Sequence, residues 1–226
     1  MTTLVLAAHP DDEVLGCGGT IARRVREGEH VVIAILGEGI TSRHAKRADA
    51  DPQALRALQA KSRKAARLLG VKTVEFFGLP DNRFDTVPML DVVKLIEDLM
   101  ARHQPTTVFT QHGGDLNIDH VVLFRATLTA TRPMAGTPVK ALYAYEVASS
   151  SEWAFQKFAP PFRPGCFVDI TSTLERKVRA MQAYESEARA FPHPRSPKAL
   201  LAQAQRWGST VGCPAAEAFE VVRHLM

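Results

Sequence analysis

The stretch TLVLAAHPDDEVLGCGGT, residues 3–20, decides how the rest of the chain is interpreted. Its first six residues form a short, mostly apolar run, as in a buried strand. Its glycine-rich end is typical of the start of a helix. A histidine and three consecutive acids lie between the two, at the carboxyl end of the strand, where open α/β sheets place their ligand crevices. One imidazole and one carboxylate supply two of the three protein ligands of a catalytic zinc site.

The rest of the chain alternates strands with helices, which indicates βαβ units on a parallel sheet. We expect strands at 3–8, 31–36, 73–77, 106–111, 141–147 and 166–170. We expect helices at 12–27, before Gly70, at 89–102, 120–131 and 172–187, before Trp207, and at 215–224. The predicted fold class is therefore α/β, with a Rossmann-like, doubly wound, mostly parallel sheet, helices on both faces and a C-terminal helical appendage.

A second polar run, QHGGDLNIDH at 111–120, follows the fourth predicted strand. If the sheet has the order 3-2-1-4-5, its crevice opens between the first and fourth strands, where both polar runs end up. Helix capping is a simpler use for Asp11 or Asp12, since aspartate is a favoured cap. Capping leaves His9 and the run of three acids unexplained, so we expect a metal or catalytic role.

Composition limits the classes of protein to which the chain can belong. With 226 residues, 46% of them hydrophobic, we expect one domain over 1–226, in which 192–226 is an appendage that contributes to the site or to oligomer contacts. No apolar run approaches the roughly 18–20 residues of a membrane span, and no signal region precedes the first strand, which predicts a soluble, cytoplasmic protein. Three widely spaced cysteines argue against a disulfide framework. The net charge is only +4, and no basic stripe is interleaved with aromatic residues, which argues against nucleic-acid binding.

The glycines at 16–19 have a second possible interpretation, as a dinucleotide-binding loop. Such a loop binds pyrophosphate through backbone N–H groups at a helix N-terminus. Three acids directly before it would repel that anion. We therefore expect these glycines to allow close packing of the helix on the sheet.

The motif HPDDE after the first strand, followed by the D-x-N-x-D-H run after the fourth, resembles the LmbE/PIG-L family of zinc-dependent de-N-acetylases. The C-terminal PHPRS and VGCPAAEAF stretches resemble the tails of bacterial sugar-deacetylase members. The resemblance implies zinc, or iron or another divalent metal in its place, held by His9, Asp12 and His120, with Asp11 as general base. It implies an N-acetylated amino sugar as substrate, free or linked to a nucleotide or lipid, and we expect a homo-oligomer.

One position departs from the family pattern. Many members have H-P-D-H where this chain has N-I-D-H, so that Asn117 replaces a histidine that steadies the oxyanion. Asparagine donates a hydrogen bond but carries no proton. We therefore expect His193, from its own or a neighbouring subunit, or Asn117 to serve there. We expect Asp115 or Asp119 to orient His120 through its other ring nitrogen.

The predicted function is hydrolysis of an N-acetyl group by a zinc-activated water, with Asp11 as base. Candidate substrate contacts are Arg195, Arg83 and Glu146, and the basic loop 43–47 either suits an anionic group or is simply solvated. Two alternatives stay open. One is a metal-dependent phosphoesterase, since carboxylates and histidines also build two-metal sites. The other is a non-catalytic binding module of the same fold.

Overall fold

Seven strands form one sheet in the computed structural model, which describes all 226 residues. The strands are β1 (Thr2–Ala7), β2 (His30–Gly37), β3 (Thr73–Leu79), β4 (Thr107–Gln111), β5 (Ala141–Tyr145), β6 (Cys166–Asp169) and β7 (Ala216–His224). The helices are α1 (Asp12–Arg26), α2 (Pro52–Leu69), α3 (Met89–His103), α4 (Ile118–Ala130), α5 (Leu174–Gln182) and α6 (Pro197–Val211). The predicted α/β class is confirmed.

The strand order is β3-β2-β1-β4-β5-β7-β6, which confirms the predicted order of the first five strands. β1 pairs in parallel with β2 and β4, and the outer pairs β2–β3 and β4–β5 are parallel as well. β7 pairs antiparallel with both β5 and β6. The sheet is therefore mostly parallel, with an antiparallel end.

The prediction of a helix at 215–224 is wrong, because these residues form β7. Alanine and glutamate favour helices in isolation, and the segment begins Ala215-Ala216-Glu217-Ala218. Hydrogen bonds to a strand on each side outweigh that weak local preference. The C-terminal region thus supplies an internal strand of the sheet as well as the helix α6.

The sheet separates two hydrophobic cores, as the alternation in β1 shows. Val5 and Ala7 belong to the core under α1, α2 and α5, whereas Leu4 and Leu6 belong to the core under α3 and α4. All four side chains are fully buried. A strand buried on both faces is a continuous apolar run, which is why TLVLAA predicts a central parallel strand.

Helix ends agree well with the local signals at α2 and less well at α5. At α2 the Asp51 carboxylate accepts a hydrogen bond from the Gln53 amide, and Gly70 ends the helix with φ 90°. The predicted stop at Gly70 is confirmed. α5 begins at Leu174 and ends at Gln182, so it is shorter than the predicted 172–187, and turns follow it.

α1 is broken after its first turn and is held at the break by distant side chains. Cys17 has non-helical backbone angles, and the Glu217 carboxylate accepts hydrogen bonds from the freed Gly19 and Thr20 amides at 2.9 and 2.7 Å. Lys177 donates to Glu217 at 2.6 Å and to the Leu15 carbonyl at 2.9 Å. We call Glu217 and Lys177 the α1 clamp.

Gly16 and Gly19 let α1 lie directly on its neighbours. A Cβ atom on Gly16 would overlap the Tyr145 ring, and one on Gly19 would overlap Ile170. The glycine cluster is therefore a packing feature, as the sequence predicts. No helix of the structure is both long and apolar enough to cross a membrane.

Candidate metal and catalytic site

The carboxyl ends of β1 and β4 meet at one polar cavity of about 150 Å³. The two strands are neighbours, and the connections on either side of them run in opposite directions, so a crevice opens between them. Its lining consists of polar and charged side chains together with Pro10 and Gly39. The two polar runs that the sequence places at these strand ends therefore share one site.

His9, Asp12 and His120 direct one donor atom each at a common point. Asp12 Oδ2 lies 3.5 Å from His9 Nδ1 and 3.2 Å from His120 Nε2, and the two imidazole centroids are 5.4 Å apart. A tetrahedral zinc with bonds of about 2.0–2.1 Å keeps neighbouring ligand atoms about 3.3–3.4 Å apart. The observed spacing matches a shared small cation.

A carboxylate faces the other ring nitrogen of each histidine. His9 Nε2 lies 2.8 Å from Asp119 Oδ2, and His120 Nδ1 lies 3.2 Å from Asp115 Oδ1. Such partners fix the tautomer and orientation of a metal-binding imidazole. Asp115 in turn accepts hydrogen bonds from the Ser150 and Ser151 hydroxyls, the latter at 2.6 Å.

The chemistry of these residues fits a divalent cation. Both nitrogens of His120 are buried, and the only polar groups that face them are the Asp12 and Asp115 carboxylates at 3.2 Å. Although burial lowers the pKa of His120, Asp12 and Asp115 together raise it to about 9. The surrounding acids thus stabilise positive charge at this point, as a cation would need.

A second group of donors, formed by His9, Asp81 and Asp119, is a poorer metal site. Asp119 is completely buried, and its two oxygens accept hydrogen bonds from the Asn82 and Phe84 amides at 2.6 and 2.8 Å. Its remaining capacity is directed at His9. We interpret this group as the support that orients His9.

Asp11 stands next to the ligand cluster and belongs to none of its contacts. Its φ of 104° lies in the left-handed region, and its side chain does not cap α1. Instead Asp11 Oδ2 accepts a hydrogen bond from Arg195 Nη1 at 2.9 Å, while Arg195 Nε donates to the Ser149 hydroxyl at 2.7 Å. Burial raises the pKa of Asp11 to about 7, against the opposing effect of Arg195.

The third acid of the run, Glu13, supports this backbone. Its carboxyl group accepts hydrogen bonds from the Asp11 amide at 3.1 Å and from the Tyr184 hydroxyl at 2.6 Å. Burial raises the pKa of Glu13 to about 8. Three consecutive acids therefore have three separate environments: a base candidate, a ligand candidate and a structural group.

Of the two residues predicted to steady the oxyanion, one lines the cavity and the other does not. Asn117 lines it, but its Oδ1 caps α4 through the Asp119 amide, and its Nδ2 donates to Asn82 Oδ1, both at 2.9 Å. His193 is outside the lining and accepts a hydrogen bond from the Arg195 amide at Nδ1. The cationic group that the structure brings to Asp11 is the Arg195 guanidinium.

Two predicted substrate contacts lie elsewhere. Glu146 accepts a hydrogen bond from Trp207 Nε1 at 2.5 Å, in a cavity beneath α6. Arg83 is exposed and outside the lining, whereas its neighbours Asp81 and Asn82 are part of it. Ser149, Ser150 and Glu187 also line the cavity, although the sequence did not predict them. The only available signal was the polar run at 149–151 directly after the fifth strand.

The chain is similar in sequence and in fold to several known proteins. The family model described as PIG-L, GlcNAc-PI de-N-acetylase, matches residues 4–131. A 1D-myo-inositol 2-acetamido-2-deoxy-alpha-D-glucopyranoside deacetylase of Mycobacterium is 29% identical over 85% of this chain and 76% of its own. A 4-oxalmesaconate hydratase of Pseudomonas putida is 29% identical over 80% and 72%. The solved structure of the conserved protein TT1542 from Thermus thermophilus is 26% identical, with a TM-score of 0.76 over 99% of this chain and 96% of that one.

Proposed function

The chain belongs to the PIG-L family of de-N-acetylases, and on that premise we propose that it hydrolyses the N-acetyl group of an amino sugar or amino-sugar conjugate. The observation that carries the proposal is a polar cavity in which the Asp11 carboxylate lies beside a set of three metal donors without being one of them. Such a set leaves coordination positions for reactants. We propose zinc as the metal, bound by His9, Asp12 and His120.

When bound, the metal supplies Lewis acidity that activates water and polarises the acyl oxygen. Asp11 then acts as the general base. Its carboxylate removes the proton of the attacking water and returns it to the amine nitrogen as the amide bond breaks. A base with a pKa near neutrality suits both transfers, and burial sets the pKa of Asp11 to about 7.

Arg195 has two roles in this proposal. Its Nη1 and Nε groups hold Asp11 and Ser149, which fixes the base at the wall of the cavity. Its Nη2 group has no hydrogen-bond partner within the chain and is free to donate to the acyl oxygen as negative charge develops there. One such donor contributes roughly 3–4 kcal/mol to catalysis in other hydrolases.

Charge balance in the cavity favours a neutral polar substrate. Arg195 faces Asp11, and Arg43 donates to both oxygens of Glu187 at 2.7 Å. Each guanidinium therefore already has its charge balanced by a carboxylate of the protein. This arrangement speaks against phosphoester hydrolysis and against hydration of a carboxylate substrate, the reaction class that the name of the Pseudomonas putida relative denotes.

The decisive experiment pairs metal analysis with acetate release. We expect one zinc per chain and acetate from N-acetylglucosamine or its glycosides, with activity lost on chelation and restored by zinc. Release of phosphate from phosphoesters, or hydration of an unsaturated acid without acetate release, would reject the proposal.

A further inference from the structure

Exposed apolar side chains lie on the same chain segments as several residues that line the polar cavity. Six of them are between 41 and 73% exposed, and we call them the apolar rim: Leu116, Ile118, Trp153, Phe155, Phe158 and Phe191. They include every large aromatic side chain of the protein that is classed as exposed. Exposed apolar side chains close to a cavity are candidates for contact with a ligand.

Two parts of the apolar rim are tied to residues that line the cavity. Leu116 and Ile118 flank Asn117, which is a lining residue. The Trp153 ring lies 5.5 Å from the His193 ring, in an edge-to-face contact. The Arg195 amide donates to His193, and the Arg195 side chain lines the cavity.

The segment 150–160 carries two further aromatic residues of the apolar rim, Phe155 and Phe158, and is attached at both ends to the β4–α4 connection. At its start the hydroxyls of Ser150 and Ser151 donate to Asp115. At its end the Pro160 carbonyl accepts a hydrogen bond from His112 Nε2 at 2.8 Å. Both anchors belong to the β4–α4 connection beside the metal donors, and Phe155 and Phe158 lie between them, 73 and 50% exposed.

The size of the cavity limits how much of a substrate it can hold. Its volume of about 150 Å³ is below the range of roughly 300–1,000 Å³ that encloses a drug-sized ligand. An N-acetyl sugar fills such a space, so any group attached to that sugar must lie outside, on the rim. The lining is polar and the surround is apolar, which matches a molecule with one polar and one apolar part.

We infer that the apolar rim binds the apolar aglycone of an N-acetylated glycoside whose sugar occupies the polar cavity. This inference rests on the proposed function and specifies its substrate class. We expect Trp153, Phe155 and Phe158 to contact the aglycone on one side, and Leu116 and Ile118 to contact it on the side of Asn117. Removing this surface from water supplies affinity that the sugar alone does not.

The test measures kcat/KM for acetate release from N-acetylglucosaminides with methyl, phenyl and 2-naphthyl aglycones. Burying roughly 60 Å² of apolar surface at about 25 cal/mol per Å² corresponds to about a tenfold change. We therefore expect the naphthyl glycoside to exceed the methyl glycoside by at least tenfold, mainly through a lower KM. Equal values for the three aglycones would overturn the inference.

Substitutions locate the effect. The double variant Phe155→Ser/Phe158→Ser should reduce the ratio of naphthyl to methyl kcat/KM to near one. The matched control Val211→Ser removes an exposed apolar side chain at the end of α6, 44% exposed, and should keep the wild-type ratio. An unchanged ratio in the double variant would contradict the inference.

Equilibrium binding separates this inference from the proposed function. Calorimetric titration with the same three glycosides should show the same order of affinity in the wild type, and loss of that order in the double variant. Tighter naphthyl binding without acetate release would reject the deacetylase function and keep the apolar rim. A wild-type dimer that the double variant converts to a monomer, with no preference among aglycones, would show instead that the rim binds a second copy.

Discussion

Asp11 and Asp12 are adjacent in sequence but have opposite electrostatic surroundings. Burial acts on both, yet His120 and His9 lower the pKa of Asp12 well below its usual value, whereas burial raises that of Asp11 to about 7. Asp12 Oδ2 also accepts hydrogen bonds from the His9 amide and from Gln111 Nε2. One carboxylate therefore stays charged and the other exchanges a proton, which is how neighbouring acids divide acid–base work.

The first prediction concerns the base. Asp11→Asn should retain zinc and lose activity by a factor of roughly 10² to 10⁴, because a carboxamide accepts no proton from water. Metal content by atomic absorption and acetate release measure the two effects. Asp12→Asn is the contrast, since it should lose both metal and activity. Full turnover by zinc-loaded Asp11→Asn would remove the assignment.

The second prediction concerns the acids behind the histidines. Asp119→Asn and Asp115→Asn should each weaken zinc binding by roughly 10- to 100-fold, because the imidazole that each supports loses its orienting partner. Competition with a chelating dye gives the affinity. Asp98→Asn, an exposed helix position paired with Arg102, serves as the control and should bind zinc normally. Wild-type affinity in both variants would contradict this arrangement.

At the scale of single residues, the sequence predicted the metal donors well, because histidines and aspartates clustered at strand ends are typical of a metal site. His9, Asp12 and His120 do come together, because strand ends next to a switch point determine their location. Asn117 was predicted from its position in the family motif, and His193 as a replacement imidazole in the C-terminal PHPRS stretch. Rotamers and competing hydrogen bonds decide which way such side chains point, and no local pattern encodes them.

Among the elements, α1 depends most on distant support. The α1 clamp reaches its break from β7 and α5, and both clamp residues are about 3% exposed. Glu217 therefore caps the second part of α1, although it belongs to the strand β7. It holds the second part of α1 while the first turn carries Asp12 into the site.

The third prediction tests this clamp. Glu217→Gln should destabilise the protein by about 3–5 kcal/mol, since it leaves the Lys177 ammonium buried without its counter-ion. Urea unfolding measures the loss. Glu97→Gln breaks the exposed pair with Lys94 and should change stability by less than about 1 kcal/mol. Similar losses in the two variants would show that the clamp contributes no more than a surface pair.

The fourth prediction concerns the pH dependence of the loop contacts around Glu187. Burial opposes ionisation, but Arg43 and Ser186 hold the pKa of Glu187 below its usual value. Its stabilising effect is therefore complete above the unfolded pKa, about 4.3, and disappears as the pH falls through the lower folded pKa. The thermal midpoint of Glu187→Gln should fall less than that of the wild type between pH 5 and 3. Parallel curves would contradict this.

The type of an element follows from its sequence when periodicity and end signals agree, as at β1 and α2. At 216–224 they did not agree. The residues favour a helix locally, and only pairing with β5 and β6, more than forty residues distant in sequence, makes them a strand. The broken α1 was equally hidden, since its supports come from residues 177 and 217.

For the whole molecule, β7 is the strand that joins β6 to the rest of the sheet. β6 pairs with β7 and with no other strand, so it has no place in the sheet without it. β7 also carries Glu217 and covers the Tyr143 and Phe109 rings with Phe219. The C-terminal region is thus part of the main core.

The fifth prediction follows from this position. A chain that lacks residues 214–226 should lose cooperative urea unfolding and near-ultraviolet circular dichroism, because both β5 and β6 lose their partner and Lys177 loses its counter-ion. A chain that lacks only Leu225 and Met226 is the control and should unfold as the wild type does. A single sharp transition in the longer truncation would show that β7 is dispensable.

Topology at this scale was predictable for the parallel part, since alternating strands and helices restrict the order of a doubly wound sheet to a few solutions. The antiparallel end was not, because hairpin signals are absent between β6 and β7: helices α5 and α6 separate them. Residues from both the parallel part and the C-terminal part of the chain line the cavity. Its metal donors come from the parallel part, and Arg195 comes from the segment between α5 and α6.

The position of β7 between β5 and β6 also sets the order in which the protein can fold during synthesis. A ribosome exposes His9, Asp12, His120 and strands β1 to β5 well before it reaches residue 216. Until then β6 has no partner strand, and β5 has an exposed edge with which a strand of another nascent chain can pair. The exposed edge of β5 is therefore protected against aggregation only after β7 has left the exit tunnel.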